Sequence, residues 1–198
     1  MLSKALFALP FLAITLIAAK PAPVVVPAMP SIMAPAEVAA NPANTLTLEL
    51  STGGTVVIQM RPDIAPNHVE RVQTLVRRGF YNGLIFHRVI AGFMAQGGDP
   101  TGKGDGGSEL PNLKPEFSAM PFLRGTVAAA RTAQPDTANS QFFIMFAPNL
   151  SLENNYTAWG RVVSGMDAVD KIALGEPPPD PTKIVKASLG DMAAAAAK

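Results

Sequence analysis

Arg88 sits in the run Phe86-His87-Arg88-Val89-Ile90-Ala91-Gly92-Phe93-Met94-Ala95-Gln96-Gly97-Gly98-Asp99, which brings a guanidinium, two apolar anchors and an amide side chain close together. A guanidinium is always charged and presents a planar fork of donors. Beside apolar side chains, that fork suits hydrogen bonding to an electron-rich atom. A second run, Ser140-Gln141-Phe142-Phe143-Ile144, adds another amide and two aromatic rings. On a regular strand Gln141, Phe143 and Met145 point one way, while Phe142, Ile144 and Phe146 point the other. One set can then face a ligand while the other fills a core. The same alternation puts Phe86, Arg88 and Ile90 on one face, rooting the arginine among apolar neighbours.

Other chemistries find no support in the chain. With no cysteine there is no disulfide framework, thiolate nucleophile or cysteine-ligated zinc. The two histidines, His68 and His87, lack the spacing of metal ligands. No Gly-x-Ser-x-Gly run supports a serine hydrolase. Gly102-Lys103-Gly104-Asp105-Gly106-Gly107 fits G-x-G-x-x-G, but no helix with a downstream ribose-binding acid follows, so it reads as a mobile surface loop. Asn149-Leu150-Ser151 and Asn155-Tyr156-Thr157 match the glycosylation acceptor pattern, which matters only in a host that glycosylates. A formal charge of +1 with no dense lysine or arginine cluster argues against a nucleic-acid partner.

The elements that must position these residues follow from periodicity. Leu46, Leu48 and Leu50 alternate with polar residues, Gly53-Gly54 turns the chain, and Thr55 to Met60 runs back, a hairpin signal. A helix begins near Pro66, with Val69, Val72 and Val76 on one face, Arg77 and Arg78 at its basic end and Gly79 as its stop. Strands are expected over Leu84 to Ile90, Gly125 to Ala130, Gln141 to Phe146, Thr157 to Val163 and Lys183 to Leu189. A second helix is expected from about Gly165 to Leu174, from the spacing of Met166, Val169 and Ile172. Many short strands with two helices imply a mainly β architecture, a closed or nearly closed sheet plugged by the helices. The length of 198 residues suits one domain with tails.

The tails have their own signatures. Lys4 followed by an apolar run from Ala5 to Ala19, bounded by Lys20 and Pro21, has the layout of a secretory signal over residues 1–19, with cleavage after Ala19 or retention as an anchor. The run is short for a spanning helix, which needs about 20 residues. Residues 20–44 are rich in proline, alanine and valine and read as an extended linker. The folded unit is expected over 45–190, followed by a frayed alanine tail over 191–198.

The two motif runs, Phe86 to Asp99 and Ser140 to Ile144, resemble the cyclophilin family of peptidyl-prolyl cis/trans isomerases, and in particular its exported, periplasmic bacterial members. The resemblance covers roughly Thr45 to Leu189; the leader and linker have no counterpart in it. It implies an eight-stranded antiparallel β-barrel, closed and capped by two α-helices, with substrate bound outside because side chains fill such a barrel. It implies rotation about Xaa-Pro bonds in peptides and folding exported proteins, by a monomer, with no cofactor, metal or covalent intermediate and no membrane contact unless the leader is retained. Arg88 takes the position of the catalytic arginine. Phe93, Met94 and Phe143 form the apolar seat for proline, and Leu152 its rim. Gln96 and Gln141 grip the peptide and orient Arg88. Ala130 and Arg131 supply main chain that pairs with an extended peptide. Tyr156 stands where many relatives carry histidine or tyrosine.

The chain also departs from the pattern. Ser151 stands where cyclophilins that bind cyclosporin strongly carry tryptophan, so weak inhibition is expected. Trp159 occupies a position usually held by phenylalanine and is expected in the core. Arg131 replaces a smaller residue, with a consequence for preference beside the proline. A competing reading is a proline-peptide binding chaperone module with little turnover; retention of Arg88 favours the isomerase, because a pure binder has no need of a donor aimed at the twisted nitrogen.

Overall fold

The structure, a computed structural model, describes residues 31–192. The expected leader, the first part of the linker and the alanines of the tail lie outside the described residues.

Alternation builds the sheet. β1 (Thr45–Leu50) buries Leu46, Leu48 and Leu50, and β2 (Thr55–Met60) buries Val56, Ile58 and Met60, the two pairing from Thr45 opposite Gln59 to Glu49 opposite Thr55. The remaining strands are β3 (Phe86–Ile90), β4 (Met94–Gly97), β5 (Thr126–Ala129), β6 (Phe142–Met145), β7 (Ala158–Ser164) and β8 (Ile184–Leu189). Every ladder is antiparallel, and the order is β3-β4-β6-β5-β7-β2-β1-β8. β4 has no counterpart among the expected strands: the glycines at Gly92, Gly97 and Gly98 mark loop edges, yet Met94 to Gly97 pair on both sides.

The curled sheet wraps a core that includes Leu46, Ile58, Phe86, Ile144 and Trp159. Trp159 is fully buried and meets Phe142 edge-on at 6.0 Å between ring centroids. α2 (Pro66–Arg77) adds Val69, Val72, Leu75 and Val76 to the same core. It starts with proline in its first turn, where a missing N–H costs nothing.

Three expectations need correction. The barrel is not closed: the outer strands β3 and β8 share no ladder and meet only at an isolated bridge, Ile85 with Lys183, and its neighbouring backbone bonds. Further along β3, Val89 exchanges both backbone bonds with Gly175, at 2.8 and 3.0 Å, so the segment before β8 occupies the edge that a closing strand would need. The second helix is a single turn, α3 (Met166–Val169), not a run to Leu174. Beyond it Lys171 and Ile172 make i to i−3 bonds, and Ile172 is buried. Three-residue turns satisfy the spacing of Met166, Val169 and Ile172 as well as an α-helix does. The end of the linker is also not extended throughout. α1 (Ala36–Ala40) forms where alanines replace prolines and buries Val38, and a 3-10 turn spans Pro42–Asn44.

Candidate functional site

The face of the sheet turned away from the core carries a second apolar cluster. In β4 Ala95 joins the main core while Met94 points to the other side; in β6 Phe142 and Ile144 point inward while Phe143 and Met145 point out. Val127 and Ala128 divide β5 in the same way. Met120 and Phe122 cover this outer cluster, with Phe122 stacked on Phe143 at 6.3 Å, so the ring of Phe143 is held from behind. Phe93, Leu152 and Tyr156 pack against the cluster while staying partly open.

These residues floor a cavity of about 240 Å³, lined by Arg88, Phe93, Met94, Gln96, Ala130, Arg131, Phe143, Leu152 and Tyr156. The structure therefore gathers nine of the ten residues expected from sequence around one notch. The tenth, Gln141, touches it through Gln96, whose Nε2 donates to Gln141 Oε1 at 2.8 Å.

How Arg88 reaches the notch differs from the simple strand expectation. The register of β3 against β4 shifts between Phe86 and Arg88, a bulge around His87. Phe86 and Val89 both point into the core, while Ile90 packs with the outer cluster and Arg88 lines the notch. Phe86 and Arg88 thus do not share a face. A bulge inserts an extra residue, reverses the alternation and re-aims the side chain beyond it. Arg88 Nε donates to Glu176 Oε2 at 2.7 Å; among the described residues its terminal amino groups have no protein acceptor.

The amide network rests on a buried carboxylate. Gln141 Nε2 donates to the carbonyls of Gly104 and Gly106 at 3.1 and 2.8 Å. That glycine loop wraps Asp99, which is 1% exposed and accepts from the backbone N–H groups of Thr101, Lys103 and Gly104. Burial pushes the Asp99 carboxyl upward, but the bonds from Thr101, Gly104 and Gly106 outweigh it and hold the group below the usual carboxylate range. A Cβ at Gly106 would lie 2.2 Å from Asp99 Oδ1, so only glycine fits. The G-x-G-x-x-G pattern thus encloses the chain's own anion.

Arg131 is fully occupied. Its guanidinium lies 4.5 Å from the Tyr156 ring centroid and donates to the carbonyls of Asn155 and Thr132. It forms a wall between the notch and a polar cavity of about 520 Å³, which Gln96, Ala130 and Gln141 also line. Among the described residues its backbone N–H has no protein acceptor. His87 is buried in the bulge, where burial pulls its pKa down.

Glu176 and the larger cavity were not foreseen. Glu176 lies 88 positions beyond Arg88 in a proline-rich segment, and no local pattern links the two. Asn139, Thr132 and Thr137, which line the larger cavity, sit just before the Ser140-Gln141 motif; their polar character is the one signal the sequence offered.

Comparison with known proteins agrees with the fold. Residues 45–189 match the family model "Cyclophilin type peptidyl-prolyl cis-trans isomerase/CLD". A "Probable peptidyl-prolyl cis-trans isomerase" of Brucella suis biovar 1 (strain 1330) is 50% identical over 167 residues, covering 76% of this chain and 85% of that protein. The human "Peptidyl-prolyl cis-trans isomerase-like 1" is 39% identical over 142 residues, covering 68% of this chain and 86% of its own. Among solved structures, cyclophilin AquaCyp293 from Hirschia baltica superposes with a TM-score of 0.69 at 30% identity, covering 75% of this chain and 74% of that one. A cyclophilin-type isomerase from Cryptosporidium parvum, crystallised in the presence of the dipeptide Ala-Pro, gives a TM-score of 0.68 at 25% identity, covering 73% and 98%.

Proposed function

The chain belongs to the cyclophilin-type peptidyl-prolyl cis-trans isomerase family and is an enzyme of that reaction, and we propose that it works by seating proline in the 240 Å³ notch while Arg88 hydrogen-bonds the twisting amide. The observation that supports this most is that Arg88 lines the same notch as Phe93, Met94 and Phe143, although three segments of chain supply them.

A peptide bond resists rotation by about 18–20 kcal/mol because the nitrogen lone pair is conjugated with the carbonyl. Before proline the isomers are close in energy, yet uncatalysed exchange takes tens to hundreds of seconds. No bond need be made or broken. The catalyst has to favour the twisted amide, in which nitrogen regains a lone pair able to accept a hydrogen bond. The guanidinium of Arg88 supplies that donor, and proline covering the notch strips water from it, which strengthens the bond.

One donor is not enough. A preorganised donor contributes about 2.7–4 kcal/mol to a barrier, whereas a millionfold acceleration needs about 8 kcal/mol. The balance comes from contacts remote from nitrogen, which hold one side of the bond while the other turns. Phe93, Met94, Phe143 and Leu152 hold the ring. The backbone at Ala130 and Arg131, with Gln96, holds the residues before it. Each chain carries a whole notch, so a monomer suffices. Turnover of a proline-containing tetrapeptide by the parent and by Arg88→Ala tests this reading; equal rates would remove Arg88 from its role.

The setting of the reaction follows from the leader. Lys4 and the apolar run Ala5 to Ala19 support export, with cleavage after Ala19, and clients among exported proteins folding in the periplasm. Fractionation of expressing cells with N-terminal sequencing checks this; a cytoplasmic protein beginning at Met1 would contradict it.

A further inference from the structure

We propose that Glu176 is a positioning residue for this reaction: its carboxylate holds Nε of Arg88 and keeps the terminal amino groups of the guanidinium presented to the bound Xaa-Pro bond. The inference rests on the role given to Arg88 above.

The backbone delivers this contact. Gly175 exchanges two backbone bonds with Val89, the residue after Arg88, and so fixes where the following side chain begins. Gly175 has φ of +142°, and a Cβ there would lie 2.7 Å from the Cα of Pro178, so this backbone path is open to glycine alone. Glu176 therefore arrives beside Arg88 by the same pairing that leaves the sheet unclosed.

The geometry of the pair suits orientation. Arg88 Nε is the donor used, at 2.7 Å, which leaves the forked end for substrate. Arg88 lines the notch and also a separate cavity of about 430 Å³, lined too by His87, Lys103 and Glu176. Without a tether the guanidinium has room to swing into that cavity. Lys103 lines it as well, yet the ion pair made by Glu176 is with Arg88. The two side chains are 40% and 51% exposed, so water screens the pair and its contribution to stability is small. Its effect lies in fixing a long side chain before substrate arrives, instead of during turnover.

Four variants test this by NMR exchange on an Ala-Pro peptide: Glu176→Ala, Glu176→Gln, Arg88→Ala, and Glu176→Ala combined with Arg88→Ala. The alanine variant should lower kcat roughly three- to tenfold, the range of a screened pair plus side-chain ordering, with peptide affinity within about twofold of the parent by the same reasoning. It should also move the Nε–Hε resonance of Arg88 and hasten its exchange with water. Glutamine keeps an acceptor oxygen and should restore most of the rate. In the Arg88→Ala background the loss of Glu176 should change nothing. A Glu176→Ala protein as fast as the parent, or faster, while Arg88→Ala is slow, overturns the positioning role alone. An additional loss in the double variant also overturns it. If Arg88→Ala itself is as fast as the parent, the fault lies with the role of Arg88.

Discussion

Gln96 and Gln141 join side chain to side chain at 2.8 Å, and Gln96 stands opposite Arg88 in the pairing of β3 with β4. Gln141 in turn holds the glycine loop folded around Asp99. A chain of hydrogen bonds thus runs from a buried carboxylate to the strand position facing Arg88. Gln141→Ala cuts it in the middle. It should cost about 1–2 kcal/mol of stability for the two lost bonds to main chain and about a tenfold loss of turnover from a loosened Gln96. Hydrogen exchange at residues 102–106 should rise. Turnover within about twofold of the parent would show that this chain of bonds serves the loop only.

Arg88→Ala removes the donor itself. Turnover should fall by about two to three orders of magnitude, the range for one preorganised donor, while peptide binding weakens far less because the notch remains. Arg88→Lys should recover little. A lysine carries the charge as a point and lacks the planar fork, so it cannot satisfy Glu176 and the twisted nitrogen together. Line-shape analysis of a Xaa-Pro peptide separates rate from affinity in one titration. Recovery of most of the rate by lysine would mean that charge alone suffices.

How far the sequence could be read depended on whether an interaction was local. Leu46, Leu48 and Leu50 announce β1 because one buried face imposes a two-residue period, and Phe142 and Phe143 divide between the two faces of β6 for the same reason. The same rule failed for Phe86 and Arg88, because a bulge is a property of two paired strands and leaves no mark in one of them. Val89 and Gly175 pair across the edge where closure was expected, and no local pattern couples positions so far apart. Arg88, Phe93, Met94, Gln96 and Phe143 were legible in two long motifs, and Ala130, Arg131, Leu152 and Tyr156 only through the resemblance those motifs carry. Their supports were less so: Asp99 could be named but not its place inside the glycine loop, and Glu176 could not be found at all.

Ser151 leads to a pharmacological outcome. Its hydroxyl donates to Asn149 Oδ1 at 2.7 Å and the residue is exposed, so position 151 itself adds neither a ring nor an indole donor beside Leu152 at the rim of the notch. Cyclosporin should inhibit poorly. An aromatic contact with its hydrogen bond is worth about 2 kcal/mol or more, so Ser151→Trp should strengthen inhibition by about thirtyfold or more. Titration of isomerase activity in parent and variant measures this, and nanomolar inhibition of the parent would contradict it.

The two histidines give the fold an acid limit. His68 is 3% exposed; burial pulls its pKa down, and the bond to Glu116 at 2.6 Å offsets this only in part, while Arg71 pushes the same way as burial. In His87 burial again dominates and lowers the pKa, against an upward pull from Asp99 and with a further downward push from Arg88. Both rings are therefore neutral in the folded protein at pH 7, with His68 donating through Nδ1 to the Glu116 carboxylate. In the unfolded chain they titrate near about 6.5. Below that pH the unfolded chain binds more protons than the folded one, so stability falls with falling pH. It should be full above about pH 7.5 and decline through 6.5 toward 5, with a slope of up to about 1.4 kcal/mol per pH unit for each ring. Further down a second loss follows. Asp99 and Glu116 are held below their ordinary values, so what they contribute is present above those values and lost as they protonate. Denaturant midpoints from pH 5 to 8 should show the first decline, and His68→Gln should flatten part of it, since glutamine can still donate to Glu116 and does not titrate. A midpoint constant across that range would mean that both rings accept a proton inside the fold as easily as outside it.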